Sequence, residues 1–160
     1  GRGTTFTVDL PFVINRTPEK AVEASADAEE CDICGMSILL VEDNELNTEI
    51  AQTLLEHDGA LVTTAANGKE ALELFQAKPA GAFDAILMDV MMPEMNGYEA
   101  TRAIRLCDKP DAADVPIIAM TANAFTEDVA RAKGSGMNDH LSKPIEIEKL
   151  KETLAKYRVR

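Results

Sequence analysis

The feature that constrains this chain most is an alternation, repeated five times from Met36 onward, between short apolar runs and stretches whose apolar residues recur at helical spacing. Ser37 to Val41 is the first run, and Leu46, Ile50 and Leu54 follow it one helical turn apart. Leu61 to Ala65 is the second; Asn67 and Gly68 then open a helix with Ala71, Leu74 and Phe75 on one face. Phe83 to Met88 is the third strand, followed by a helix from Tyr98 to Cys107. Pro116 starts a fourth strand through Met120, at a position where a missing N–H is tolerated. Phe125, Val129 and Ala132 mark the next helix, which ends at Gly134. Asn138 to Leu141 reads as a short fifth strand, and Ile147, Leu150, Leu154 and Tyr157 face inward from the last helix. Strands apolar on both sides must be covered on both faces, and each return to a parallel neighbour is right-handed. The predicted fold class is therefore α/β, a doubly wound parallel sheet.

The polar residues stand where the apolar runs end. Ile86-Leu87-Met88-Asp89 delivers one carboxylate and turns at once through Pro93 and Gly97, so Asp89 sits at the rim of a core. A buried strand rarely tolerates an acid unless it is paired, metal-bound or placed at a mouth. Glu42 and Asp43 close the first run, Thr121 closes the fourth, and Lys143 follows the fifth.

Asp89 in Leu-Met-Asp-Val-Met-Met-Pro-Glu-Met-Asn-Gly, Glu42-Asp43 in Leu-Val-Glu-Asp-Asn, Thr121 in Ala-Met-Thr-Ala-Asn and Lys143 in Leu-Ser-Lys-Pro resemble the response-regulator receiver domain of two-component signalling. The resemblance covers residues 37 to 157 and implies a flavodoxin-like (βα)5 sheet of strand order 2-1-3-4-5. In such sheets ligands bind at the switch between strands 1 and 3, which would bring all four motifs to one place.

Carboxylates crowded at one rim repel each other unless a cation binds, and hard oxygen ligands suit Mg²⁺. The resemblance implies that Asp43 and Asp89 ligate the ion directly, that the Met91 backbone carbonyl adds a third protein ligand, and that Glu42 acts through water. Asp89 would then accept a phosphoryl group as an aspartyl phosphate. Lys143 and the Thr121 hydroxyl would stabilise the phosphoryl oxygens, and a cis bond before Pro144 would aim Lys143 inward. Thr121 and His140 are the expected switch; receivers usually carry Tyr or Phe at the His140 position, and imidazole adds a titratable group there. Blander readings stay open: Glu42 and Asp43 capping the helix near Asn44, Lys143 a solvated surface lysine, Thr121 a strand residue with a satisfied hydroxyl, His140 an ordinary exposed histidine.

Residues 1–15 contain Gly-Arg-Gly-Thr-Thr-Phe and alternate at Phe6, Val8 and Leu10; they are similar to the closing strand of a histidine-kinase ATP-binding domain. Residues 16–35 have the acidic, Ala-rich composition of a linker, and residues 36–160 form the receiver. The resemblance therefore points to the C-terminal receiver of a hybrid sensor histidine kinase. Its expected partners are a histidine kinase core or a histidine phosphotransfer protein, met through the helix after strand 4 and the last helix.

Net charge excludes one class of partner. At −12, with a pI near 4.5, the chain would repel nucleic acid. Three cysteines form no closed disulfide framework, and Cys31 and Cys34 read as incidental thiols. No apolar stretch is long enough for a bilayer and no leader precedes the first segment, so the chain is expected in the cytoplasm without membrane contact. His57 and His140 do not suit a phosphodonor, which must come from elsewhere. A Mg²⁺-dependent phosphatase or phosphotransferase is the rival enzyme, yet such enzymes place a second acid two residues after the nucleophile, where this chain has Met91. A phosphorylation-independent interaction domain is the other alternative.

Overall fold

A computed structural model describes residues 32–122 and 126–158. The expected kinase strand over 1–15, most of the linker with Cys31, and Phe125 lie outside the described residues. Five strands and five helices alternate: β1 (Ser37–Val41), α1 (Glu45–His57), β2 (Leu61–Ala65), α2 (Gly68–Ala77), β3 (Ala85–Asp89), α3 (Gly97–Leu106), β4 (Ile117–Thr121), α4 (Thr126–Ser135), β5 (Asp139–Ser142) and α5 (Ile147–Ala155). All pairings are parallel and the sheet order is β2-β1-β3-β4-β5, the expected flavodoxin-like topology.

Each strand feeds both faces because its side chains alternate. Leu39, Val41, Ile86, Met88 and Ile117 pack with Phe75 and Ile104 on the side of α2 and α3. Ile38, Leu40, Leu87, Ile118 and Met120 pack with Leu55, Leu150 and Leu154 on the side of α1 and α5. Burying a side chain of this size contributes about 1.5–3 kcal/mol, so the two clusters together fix the register that brings the strand ends level. Arg105 ties α3 to the segments on either side of β4: its guanidinium donates to the carbonyls of Ala112, Val115 and Gly136 and to Asn138 Oδ1. Burial lowers its pKa from the ordinary value.

Four differences from the sequence reading have physical causes. β3, β4 and β5 each run one residue beyond the expected C-terminal end, taking in Asp89, Thr121 and Ser142. Polar character hid these positions, but the backbone stays in the ladder, where Asp89 is in register with Met120 and Thr121 with Ser142. Secondly, the packed body starts before Met36. Ile33 is fully buried in the α1–α5 cluster, and Arg158 donates to the carbonyls of Asp32 and Cys34. Thirdly, α1 turns Ala51 and Leu55 inward, leaving Leu46, Ile50 and Leu54 exposed at 64%, 52% and 39%. Finally, α4 ends at Ser135, one residue past Gly134. Among the described residues no helix is long and apolar enough to cross a membrane.

Candidate phosphorylation site

Asp89 ends a wholly buried strand and is itself only 4% exposed. The chain beyond it is braced back onto the sheet: Val90 N–H donates to the Met120 carbonyl and Gly97 N–H to the Val90 carbonyl. Asn96 then caps α3 in a reciprocal box with Glu99, at 3.0 and 3.1 Å. Gly97 is required there, since a Cβ would run into the Asp89 carbonyl. This turn holds the Met91 amide 3.0 Å from Asp89 Oδ1; the Met91 side chain itself points to solvent.

β1 and β3 are neighbours, so Glu42 and Asp43 arrive beside Asp89. Carboxylate oxygens of these three residues lie within 4.8 Å of one another. Glu42 is buried and held from two sides, by Asn47 Nδ2 at 2.9 Å and by Lys143 Nζ at 2.6 Å. Asp43 is exposed and does not cap the helix. The cap of α1 is Asn44, whose Oδ1 accepts from Asn47 N–H at 3.1 Å, which removes the capping alternative.

Lys143 reaches the same rim from β5. The Lys143–Pro144 bond is cis, and the ammonium donates to Asp89 Oδ2 at 2.7 Å as well as to Glu42. The reading of Lys143 as a solvated surface residue is thereby corrected. Its backbone N–H also donates to the Thr121 carbonyl at 2.7 Å, linking the two residues across β4 and β5. Thr121 is buried.

The electrostatics follow from burial. Desolvation raises the Asp89 carboxyl above its ordinary value and Glu42 adds to the rise, while Lys143 and the Met91 amide pull it down. For Lys143, burial lowers the pKa, but hydrogen bonds to Asp89 and Glu42 outweigh it and leave the ammonium above its ordinary value. The result is a preformed cationic contact on a carboxylate that the fold makes more basic.

His140 stands apart from this constellation. It is in register with Ala119, with its side chain 36% exposed and Nδ1 3.8 Å from Asp139 Oδ1. It lines a cleft of about 160 Å³ with Val129, Ala132 and Met137. His57 is exposed at the end of α1, beside Asp58. Asn47, which orients Glu42, escaped the sequence reading; an amide on the first turn after a strand-end acid is the signal that points to it.

The chain is similar to known proteins in sequence and fold. The family model for the response regulator receiver domain matches residues 38–155. Aerobic respiration control sensor protein ArcB of Escherichia coli is 35% identical over 160 residues, covering 98% of this chain. The chain spans only 6% to 19% of the length of the curated relatives it matches, among them three hybrid signal transduction histidine kinases of Dictyostelium discoideum. The receiver domain of sensor histidine kinase PA1611 from Pseudomonas aeruginosa, solved with magnesium coordinated in its active-site cleft, is 40% identical, with a TM-score of 0.69 and coverage of 78% of this chain and 98% of that one. The Saccharomyces cerevisiae receiver of Ssk1, solved with the histidine phosphotransfer protein Ypd1, is 28% identical, with a TM-score of 0.68 and coverage of 78% and 90%. With the family model matched over residues 38–155 and a relative 35% identical over 98% of this chain's length, the chain belongs to the response regulator receiver domain family of two-component signalling.

Proposed function

We propose that this chain is a phosphorelay acceptor: Asp89 takes a phosphoryl group from a phosphohistidine and passes it on or changes which proteins the domain binds. The observation that carries this reading is Lys143 Nζ in contact with both Asp89 and Glu42 at one rim. The Asp89 oxygen–phosphorus bond forms as the phosphorus–nitrogen bond of the donor breaks, its electron pair staying on the imidazole. Such transfers have a loose transition state, so positioning and charge stabilisation suffice without a strong base. Lys143 offers a point charge to one phosphoryl oxygen and the Thr121 hydroxyl serves another.

The hard oxygen donors of Glu42, Asp43 and Asp89, grouped within 4.8 Å, fit a divalent cation. Asp43, Asp89 and the Met91 carbonyl would hold Mg²⁺, with Glu42 acting through water; when bound, the ion neutralises charge on the phosphoryl group. Thr121 moves toward the modified Asp89 in this reading, and His140 responds by repacking in the cleft beside α4.

The partner is a histidine phosphotransfer protein or a kinase core, the first being the class that accompanies the Ssk1 receiver. It docks on α1. Leu46, Ile50 and Leu54 are exposed there, beside a groove of about 440 Å³ that ends at Glu42 and Lys143. Among the described residues α4 and α5 expose no comparable large apolar side chain, so the docking face moves from those helices to α1. Residues 1–15 as the end of a kinase ATP-binding domain, with a linker stopping at Ile33, complete the hybrid-kinase reading.

Incubation with acetyl phosphate and Mg²⁺ followed by intact mass tests the proposal. One hydroxylamine-labile phosphoryl group, absent in Asp89→Asn, is the expected result. Unmodified protein, or equal labelling of Asp89→Asn, would contradict it.

A further inference from the structure

One motif has no part in the phosphorylation site: Cys31-Asp32-Ile33-Cys34-Gly35. Two cysteines with two residues between them have the spacing of a zinc half-site. Cys31 lies outside the described residues, and its place three positions before Cys34 is a fact of sequence. The rest of the motif is a turn over residues 32–35, buried at Ile33 and exposed at Cys34. Gly35 takes a φ of +75°, so the chain reverses directly after the second cysteine in a backbone region that other side chains avoid.

This turn is seated on the end of α1. Gly35 N–H donates to the Gly59 carbonyl at 2.8 Å, and a Cβ built on Gly59 would stand 2.9 Å from Cys34 Sγ. Gly59 therefore leaves the sulfur its room beside the turn between α1 and β2. His57 precedes Gly59 by two residues, with a side chain 85% exposed. Its Nδ1 lies 3.2 Å from Asp58 Oδ1. A carboxylate there favours the proton on Nδ1 and makes Nε2 the ligating nitrogen. The negative end of α1 and the net charge of −12 both favour a cation at this place.

We propose that Cys31, Cys34 and His57 bind one zinc ion, with water in the fourth position and Asp58 orienting His57. Two thiolates and an imidazole suit zinc, whereas magnesium takes hard oxygens, so this site and the acidic rim select different metals. Each thiol gives its proton to buffer as its sulfur–metal bond forms, and no oxidation state changes. Met36 and Ala60 lead into β1 and β2 here, at the end of the parallel sheet opposite Asp89. The ion would tie the linker to α1 and fix the direction in which the chain enters the domain.

Cobalt titration of the reduced full chain in saturating Mg²⁺ tests the site, because cobalt takes the same ligands and its thiolate complexes show charge-transfer absorption. One cobalt per chain with that absorption, displaced by zinc, is the expected result. Cys31→Ser/Cys34→Ser should abolish the absorption. Asp58→Asn should weaken cobalt binding by roughly tenfold, and His57→Ala should weaken it more. Alkylation of wild type with peptide mass spectrometry needs no variant: zinc should protect Cys31 and Cys34 and leave Cys107 labelled as before. No charge-transfer absorption, or cobalt binding that follows Asp43→Asn and Asp89→Asn instead of the cysteines, would overturn the site. One ion per two chains with no response to His57→Ala would overturn it too, since thiolates of two copies would then hold the metal.

Discussion

Lys143 Nζ lies 2.7 Å from Asp89 Oδ2, although 54 residues separate them, and the same ammonium lies 2.6 Å from Glu42 Oε2 across 101 residues. Both carboxylates are buried. Without a bound ion, Lys143 is the cation that keeps two desolvated acids in place. Its removal should therefore be felt in stability as well as in chemistry.

Lys143→Ala should destabilise the metal-free domain by about 3 kcal/mol, the low end for breaking a buried pair because the Lys143 side chain is 23% exposed. Mg²⁺ then has more repulsion to relieve, so the ion should raise the melting temperature of the variant more than that of wild type. Thermal melts with and without Mg²⁺ decide this; equal shifts in both proteins would contradict it.

A methyl group at Gly97 would meet the Asp89 carbonyl, whereas one at Gly134 would meet nothing within 4 Å. Gly97→Ala should cost about 2–3 kcal/mol by overpacking and slow phosphorylation by displacing the end of β3. Gly134→Ala, inside α4, should stabilise by roughly 0.5–1 kcal/mol. Urea unfolding of the two variants checks both signs.

Ile50→Asp changes an exposed position on α1, so stability should move by less than about 0.5 kcal/mol. Transfer from a phosphohistidine protein should fall by roughly tenfold or more, as for a central interface residue. Labelling by acetyl phosphate should stay at the wild-type rate. Loss of both activities together would show that α1 is not a docking face.

Lys151 Nζ pairs with Asp58 Oδ2 at 2.9 Å, joining the end of α1 to α5. The hydrogen bond to Lys151, then that to His57, lowers the Asp58 pKa from 3.8. A depressed carboxyl contributes stability above its unfolded pKa and loses it as pH falls through the folded value. Asp58→Asn should therefore melt slightly below wild type at neutral pH, with the difference vanishing as pH drops below 3.8. A gap that persists or widens in acid would contradict the pairing.

The strands were legible because their apolar runs are continuous, and Asn67 announced its helix through an N-cap that the structure places 2.9 Å from Glu70 N–H. Asp89 stood out because an acid at the end of a buried run needs a reason to be there, whereas Thr121 and Lys143 were singled out by the resemblance of their motifs to a receiver. Helical spacing showed that Leu46, Ile50 and Leu54 share a face, but spacing alone does not say which way a face points. Small Ala51 and Leu55 settle the packing of α1 instead. Ile33 escaped because one apolar residue among polar neighbours gives no period, and the contact that holds its segment comes from Arg158, 126 and 124 residues beyond its two acceptors.

The most direct test asks which side chain carries the phosphoryl group. Labelling with acetyl phosphate and Mg²⁺, reduction with borohydride, and peptide mass spectrometry convert an aspartyl phosphate to homoserine at its own position. The account predicts homoserine at position 89 and nowhere else. Homoserine at position 43 or at any other aspartate, or a reduced product at Glu42, would contradict it.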